Sequence, residues 1–452
     1  MQNLFGNAQS QSILSSILIY AVVILGLYLV MFRPNQKRKN QEEELRKSLQ
    51  IGDEIVTIGG IVGKVVSIKE DSDSLVIETA SEKMRIKKWA IANKENNEKN
   101  GQEKMTQDVR LSLGPFQGIT DAPFRNVFKR HFGGLDKFYT PFFTGIHKDN
   151  NAKNLQGEEI DPRCNDVETL TPQILSTDAE EILRFAKQCR ELGYKEINLN
   201  MGCPFPRVAN KKRGCGLLPY PDKVEAMFES IFEQIGNVKF SVKCRLGYFN
   251  PDEIEAIILI FNKFPLSELI IHPRIGKQLY KGEADVERFK ALIPYINVPL
   301  VYNGDVFSVE SFGRIRDLVR PVNQFMLGRG LLANPFLAED IKTSVIASGN
   351  QWSAAIQNNE LDCFVLPPRN DSKRQSERTE RLHAYILDLY EDRLRHAGGS
   401  PKVLGRMKEL WSYLINSFEE PQVVWRKIKK INALKEYEEA VETIFKEIPI
   451  IL

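Results

Sequence analysis

Hydrophobic and polar positions change rhythm several times along the chain, and each rhythm predicts a different element. Residues 13–32, ILSSILIYAVVILGLYLVMF, are apolar without a single charge. At ~1.5 Å of rise per residue they reach about 30 Å, the thickness of bilayer hydrocarbon, which predicts one transmembrane helix. Over 50–93, β-branched residues recur with polar ones, broken by Gly59-Gly60 and Gly63, and this predicts a small β-rich module. Residues 94–108 hold no apolar anchor and read as a flexible linker. From Leu111 onward short apolar runs recur: LSLGPFQ, KFYTPFF, LTPQIL, YKEINLN, KFSVKCR, ELIIHP, PLVYNGD and QFMLGRG. Between them lie stretches such as DAEEILRFAKQCRELG and PDEIEAIILIFNKF, acidic in the first turn and apolar at i, i+3, i+4. Strand and helix alternating in this way predict an α/β fold, a (β/α)8 TIM barrel over 109–343. A segment at 344–378 reads as linker or insertion, and 379–452 returns to helical spacing as a small bundle with basic turns.

Charge refines the first element. No basic side chain precedes the apolar run, whereas Arg33, Lys37, Arg38, Lys39 and Arg46 follow it. That asymmetry argues against a cleaved signal peptide and predicts a single-pass protein of the bacterial inner membrane, with everything after Phe32 in the cytoplasm. The net charge of +3, from 62 basic and 59 acidic side chains, gives no global sign of nucleic-acid binding, so local patches must carry any such reading. Six cysteines without a CxxC pair exclude a zinc ribbon and a disulfide scaffold, and no metal site is expected.

In a TIM barrel the carboxyl ends of the strands carry the chemistry, and the unusual residues collect there. Gln117, Gln173, Asn200, Cys203, Lys243, Arg245, His272, Arg274, Asn303, Asp305 and Arg329 all fall at or just past a predicted strand end. Period-two geometry puts Lys243 with Arg245, and His272 with Arg274, on one face of their strands. Four potential cations at one mouth call for an anionic partner, such as a phosphate or a reduced flavin. Asn303-Gly304-Asp305 and Gly328-Arg329 end the last two strands, where glycines let a phosphate approach backbone N–H groups. Lys211, Lys212 and Arg213 follow the loop of Cys203 and could meet a polyanion.

Two resemblances follow from these pieces. The apolar span, MFRPNQKRKNQ and GDEIVTIGGIVGKV resemble YajC, an accessory subunit of the bacterial Sec translocase, over residues 1–93. This implies association with SecD and SecF and no catalytic residue of its own. GPFQGITDAPFR, PQILSTD, INLNMGCP, SVKCRLG, IHPR, VYNGD and MLGRGLLANPF resemble the tRNA-dihydrouridine synthases, from residue 111 to about 341. Met105 would then be the start of a once separate protein.

The second resemblance implies FMN as cofactor, NADPH as reductant and a uridine of the tRNA D-loop as substrate. It implies that Pro115, Phe116 and Gln117 flank the flavin and Gln173 meets its polar edge. Lys243 and His272 would stabilise reduced flavin, while Asn303, Gly304, Asp305, Gly328 and Arg329 hold its phosphate. Asn200 would orient the uracil, with Arg245 and Arg274 beside the substrate, and Cys203 would give C5 its proton. A thiol of ordinary pKa, about 8.5, is mostly protonated at neutral pH and suits that task. The bundle would bind tRNA through Arg406, Lys408, Arg426, Lys427, Lys429 and Lys430. Competing expectations are a translocase accessory with a catalytically silent barrel, and a flavin enzyme reducing a free pyrimidine.

Overall fold

The computed structural model describes residues 51–57, 62–68, 74–79, 82–95, 109–146, 157–348, 371–396 and 399–452. The expected transmembrane helix lies outside the described residues, and none of the described helices is long and apolar enough to cross a membrane. The chain divides into two units, Met1–Lys104 and Met105–Leu452.

In the first unit, β1 (Glu54–Thr57), β2 (Val62–Ile68), β3 (Ser74–Glu78), β4 (Lys83–Lys87) and β5 (Ile91–Glu95) form an antiparallel sheet of order β4-β3-β2-β1-β5. Ile55, Val65, Leu75, Ile77 and Ile91 make its core, which is the alternation read from the sequence. Gly63 is closely packed: a Cβ there would lie 3.0 Å from Ile77 Cδ1 and 3.1 Å from the Glu78 carbonyl, so a larger residue would need its neighbours to give way. β5 runs two residues into the segment expected as linker.

The second unit holds a parallel sheet of β6 (Arg110–Leu113), β7 (Lys137–Tyr139), β8 (Leu170–Thr171), β9 (Gln173–Ile174), β10 (Glu196–Met201), β11 (Lys239–Gly247), β12 (Glu268–Ile275), β13 (Leu300–Asn303) and β14 (Gln324–Leu327). β8 pairs with β7 and β9 with β10. Pro172 stands between them and has no N–H for the ladder, although its carbonyl still accepts from the Asn198 N–H at 2.9 Å. The two segments are therefore one stave. Since β14 pairs with β6, eight staves close into a ring.

Helices follow the staves, among them Ala122–His131, Ala179–Glu191, Pro221–Gln234, Glu253–Phe261 and Val309–Leu318. Several start on the capping residues that end the preceding loop: Asp121 accepts from the Phe124 N–H, Asp178 from Glu180 and Ser308 from Ser311. At the amino ends of the staves, Lys137 bonds Glu196 (2.9 Å) and Glu268 (2.9 Å), and the Tyr139 hydroxyl donates to Glu268 at 2.7 Å.

Helices also occupy both ends of the segment expected as linker or insertion. Leu337–Ser348 runs in from the barrel side and Asp371–His396 begins the bundle, which continues with Ser400–Leu414, Pro421–Lys429 and Leu434–Glu447. Trp411 is fully buried among them and donates to the Tyr437 hydroxyl at 2.9 Å. Asp121 clamps bundle to barrel: its carboxylate accepts from Arg393 (3.2 Å) and Arg406 (2.5 Å). Arg406, expected to meet tRNA phosphate, thus gives Nη1 to this pair while its side chain stays 37 % exposed.

Candidate active site

Cys203 stands two residues beyond the end of β10, in a loop gripped from several directions. Asn200 Oδ1 accepts from the N–H groups of Gly202 (3.1 Å) and Cys203 (2.9 Å), and Arg245 Nε donates to the Gly202 carbonyl at 3.2 Å. From the far side comes the loop RGCG. The Cys215 N–H and thiol both reach the Cys203 carbonyl at 3.3 Å. Gly214 has φ +57°, and a Cβ on it would come within 2.6 Å of that same carbonyl, so only glycine fits. Cys215 is thereby a prop for the Cys203 loop, a role the sequence alone does not reveal; burial pushes its own thiol up to about 12. Cys244 faces the core, as its alternation with Lys243 predicts.

Cys203 is 8 % exposed. Burial raises its thiol pKa, and the Phe205 N–H, Arg245 and Lys243 offset this only in part. The thiol keeps its proton at neutral pH, the state a general acid needs.

At the carboxyl ends of the staves opens a cleft whose lining includes Lys243, one of the charges acting on the Cys203 thiol, while Cys203 itself lies outside that lining. Pro115, Phe116, Lys243, His272, Asn303, Gly304, Asp305, Gly328 and Arg329 line it, together with Gly114, Gly330, Tyr280, Val306 and Phe307. Of the residues expected to hold a cofactor, Gln117 and Gln173 lie outside this lining. Gln173 is fully buried and bonded to Asn198 and Asn200, both at 2.8 Å.

The cations in and around the cleft are of three kinds. Lys243 is desolvated, which with the charge of Arg245 lowers its pKa to about 8. Arg245 and Arg274, expected beside the substrate, are 1 and 2 % exposed and brace loops: Arg245 Nη1 donates to the carbonyls of Ile275 (3.0 Å) and Leu279 (2.7 Å). Arg274 donates to the Gly282 carbonyl at 2.7 Å and pairs with Asp305. Arg329 also pairs with Asp305, at 2.8 Å, while its guanidinium lies 5.1 Å from the Tyr280 ring and 5.5 Å from that of Phe307.

One expectation is corrected by this arrangement. His272 is not a cation: Arg274 Nη1 lies 2.9 Å from its Nε2, and an always-protonated guanidinium can only donate, so the imidazole accepts there and is neutral. Burial and the surrounding arginines lower its pKa well below the ordinary value. Asp305 lines the cleft, and its carboxylate is taken up by Arg274 and Arg329, which leaves its backbone as the part that could meet a phosphate. Burial alone would raise its pKa, but hydrogen bonds from Arg274 and the Ala284 N–H, with the charges of both arginines, lower it on balance. Its φ of +33° is unusual for a residue other than glycine, and these bonds hold it there.

Lys211 and Lys212 are exposed on the loop after Cys203 and Arg213 is half-buried; the Lys212 ammonium lies 4.4 Å from the Tyr220 ring. Tyr280 and Phe307, which line the cleft and are 40 and 46 % exposed, went unnoticed in the sequence because they sit in loops without a periodic signal.

A closed parallel barrel with a cation-rich cleft at the carboxyl ends of its staves, and a buried thiol at that same end, has the layout of a barrel enzyme. The dihydrouridine synthase profile matches residues 112–366, more than half of the chain, and the chain belongs to that family of flavin-dependent oxidoreductases. It is 31 % identical over 268 residues to tRNA-dihydrouridine synthase B of Pasteurella multocida, covering 58 % of this chain and 74 % of that protein. Against tRNA-dihydrouridine(16) synthase of Neisseria meningitidis serogroup B it is 28 % identical over 242 residues, covering 52 % and 72 %. With tRNA-dihydrouridine(16) synthase of Pseudomonas putida the match extends over 329 residues at 24 %, covering 71 % and 93 %. A second profile, YajC, preprotein translocase subunit, matches residues 17–95, so the synthase domain lies behind a YajC-like module.

Proposed function

We propose that the chain is an FMN-dependent tRNA-dihydrouridine synthase that uses NADPH to reduce the C5–C6 double bond of a uridine in the tRNA D-loop. The observation that carries this reading is the buried thiol of Cys203 just past the end of β10, at the same end of the barrel as a cleft with more cations than carboxylates. The cleft suits the cofactor: glycines 114, 304, 328 and 330 are among its lining residues, and Lys243 has no carboxylate among its charge neighbours. Lys243, Asn303, Arg329 and the glycine backbone would hold FMN, with Phe116 against it. When bound, the flavin supplies hydride for C6 of the base.

Everything else is done by the chain. Cys203 gives its thiol proton to C5, and the charges of Arg245 and Lys243 stabilise the thiolate left behind. His272, neutral, offers a donor at Nδ1. Asn200 keeps one amide hydrogen for the base after meeting Gln173. Drawing a stacked uridine out of its loop costs a few kcal/mol, and phosphate contacts from Lys211, Lys212 and Arg213 would offset it. Lys429 and Lys430 are exposed on the bundle and would add phosphate contacts of their own. The YajC-like module would tether the enzyme to the inner membrane by the 13–32 span, beside SecD and SecF, with the barrel in the cytoplasm.

The test is made on the purified full chain. It should be yellow, bleach with NADPH and regain its colour only with uridine-containing tRNA. A colourless protein, or one that turns over free uracil as readily, overturns the reading.

A further inference from the structure

Below Cys203 a chain of side chains crosses the barrel interior, and its polarity is fixed at both ends. Ser241 on β11 donates to the Ile197 carbonyl at 3.3 Å. A carbonyl can only accept, so the serine hydrogen is committed and its Oγ is left to accept from Asn198 Nδ2, at 2.9 Å. Asn198 must then turn Oδ1 to Gln173, which presents Nε2 at 2.8 Å. Gln173 in turn faces Asn200 with Oε1, and Asn200 donates to it at 2.8 Å. This leaves Asn200 Oδ1 toward the N–H groups of Gly202 and Cys203, which can only donate. A flip of any one amide would set donor against donor or acceptor against acceptor. Ser241, Asn198 and Gln173 are all fully buried, where such a mismatch has no water to relieve it.

We propose that Asn198 and Ser241 are positioning residues for the reaction: they fix the amide sense of Gln173, and through Asn200 they hold the Cys203 loop in the one conformation that presents its thiol. Neither touches the cleft. Their alternation with Asn200 on β10 and with Lys243 on β11 puts them one step down the same faces that carry the chemistry. The inference rests on Cys203 being the proton donor only for its effect on turnover; its effect on the thiol stands without a cofactor or RNA.

The test compares Asn198→Asp with Asn198→Leu in the full chain. A buried aspartic acid takes up a proton, after which it accepts from Gln173 and donates to Ser241 as asparagine does. Leucine fills the space but carries neither bond. Two readouts are taken: the rate at which iodoacetamide labels Cys203, followed by mass spectrometry of its peptide without cofactor, and single-turnover reduction of tRNA uridine. Asn198→Leu should label Cys203 roughly tenfold faster and reduce uridine on the order of a hundredfold more slowly, as misplacement of a reacting group does. Asn198→Asp should stay within about threefold of the parent in both, because it keeps the bonding pattern. If Asn198→Leu labels and turns over like the parent, or if Asn198→Asp fails as badly as leucine, the positional role is wrong and the site matters only for packing. Altered labelling in a chain that never acts on tRNA would uphold the relay and sink the proposed reaction instead.

Discussion

The two ends of the barrel handle charge in opposite ways. At the amino ends of the staves one ammonium, Lys137, meets two carboxylates, Glu196 and Glu268, and the Tyr139 hydroxyl takes up a remaining lone pair. The partners come from staves β7, β10 and β12, and every polar head named finds another. At the carboxyl ends Lys243, Arg245, Arg274 and Arg329 share one carboxylate, Asp305, among the residues around the cleft. Only β12 contributes to both clusters, with Glu268 at its amino end and Arg274 near its carboxyl end; the mouth otherwise draws on β11 and on the segments after β13 and β14. A cluster that satisfies itself holds the barrel together; one with surplus positive charge is the better candidate for binding an anion.

Changes at the mouth should therefore alter chemistry and leave folding intact. The largest effect is expected for Cys203→Ala: flavin binding and reduction by NADPH persist while dihydrouridine formation falls about 10²–10⁴-fold, the usual contribution of a general acid. Product yield equal to the parent in a quantitative nucleoside assay would remove the thiol from the reaction. At the floor, Lys137→Met should leave buried carboxylates without a cation and lower stability by about 2–3 kcal/mol, less than for a fully buried pair because the cluster is partly exposed. Denaturant unfolding measures this, and the remaining folded protein should keep its flavin affinity.

Lys243→Met reverses that pattern, with little loss of stability but roughly 10- to 100-fold weaker flavin binding, as for loss of one hydrogen bond to a charged group. Its pKa of about 8 in the protein alone adds a pH signature. Below about 8 the ammonium is charged; above it an anion entering the cleft must bring a proton with it. Calorimetry in two buffers of different ionisation enthalpy should detect proton uptake on the alkaline side, absent in Lys243→Met. The linkage to stability has the same sign. Folding lowers this pKa, so between about 8 and ~10.4 the unfolded chain binds more protons and stability rises with pH. The smallest effect belongs to the bundle surface, where Lys429→Gln with Lys430→Gln should weaken tRNA binding a few-fold and reduce its salt dependence by about two charges.

Much of this was legible in the sequence because it is local. The staves follow from apolar runs separated by helical spacing, and Cys203, Lys243 and Arg329 stand out because rare residues sit at strand ends. Even the break at Pro172 can be read as a missing N–H. What escaped depends on pairings across the fold. Asp121 meets Arg393 and Arg406 over 272 and 285 residues of chain, so Arg406 reads as a free surface cation until the bundle docks. His272 reads as a cation until Arg274 Nη1 is found 2.9 Å from its ring nitrogen. Asp305 looks like a ligand residue because it follows a glycine at a strand end, yet its partners are arginines from two other segments. Asn198 shares the face of Asn200 and was passed over because alternation tells which residues are neighbours, not which way an amide points.

The most direct test of the account is one single-turnover experiment. The full chain, loaded with FMN and reduced by NADPH, is mixed with unmodified tRNA while flavin absorbance and dihydrouridine are followed together. The parent should reoxidise as product forms, one dihydrouridine per flavin, and Cys203→Ala should bind tRNA yet form product at least a hundredfold more slowly, in keeping with loss of a general acid. Reoxidation without dihydrouridine, or equal product rates for the two proteins, would contradict the claim that the cation-rich cleft and the buried thiol form one reductive site.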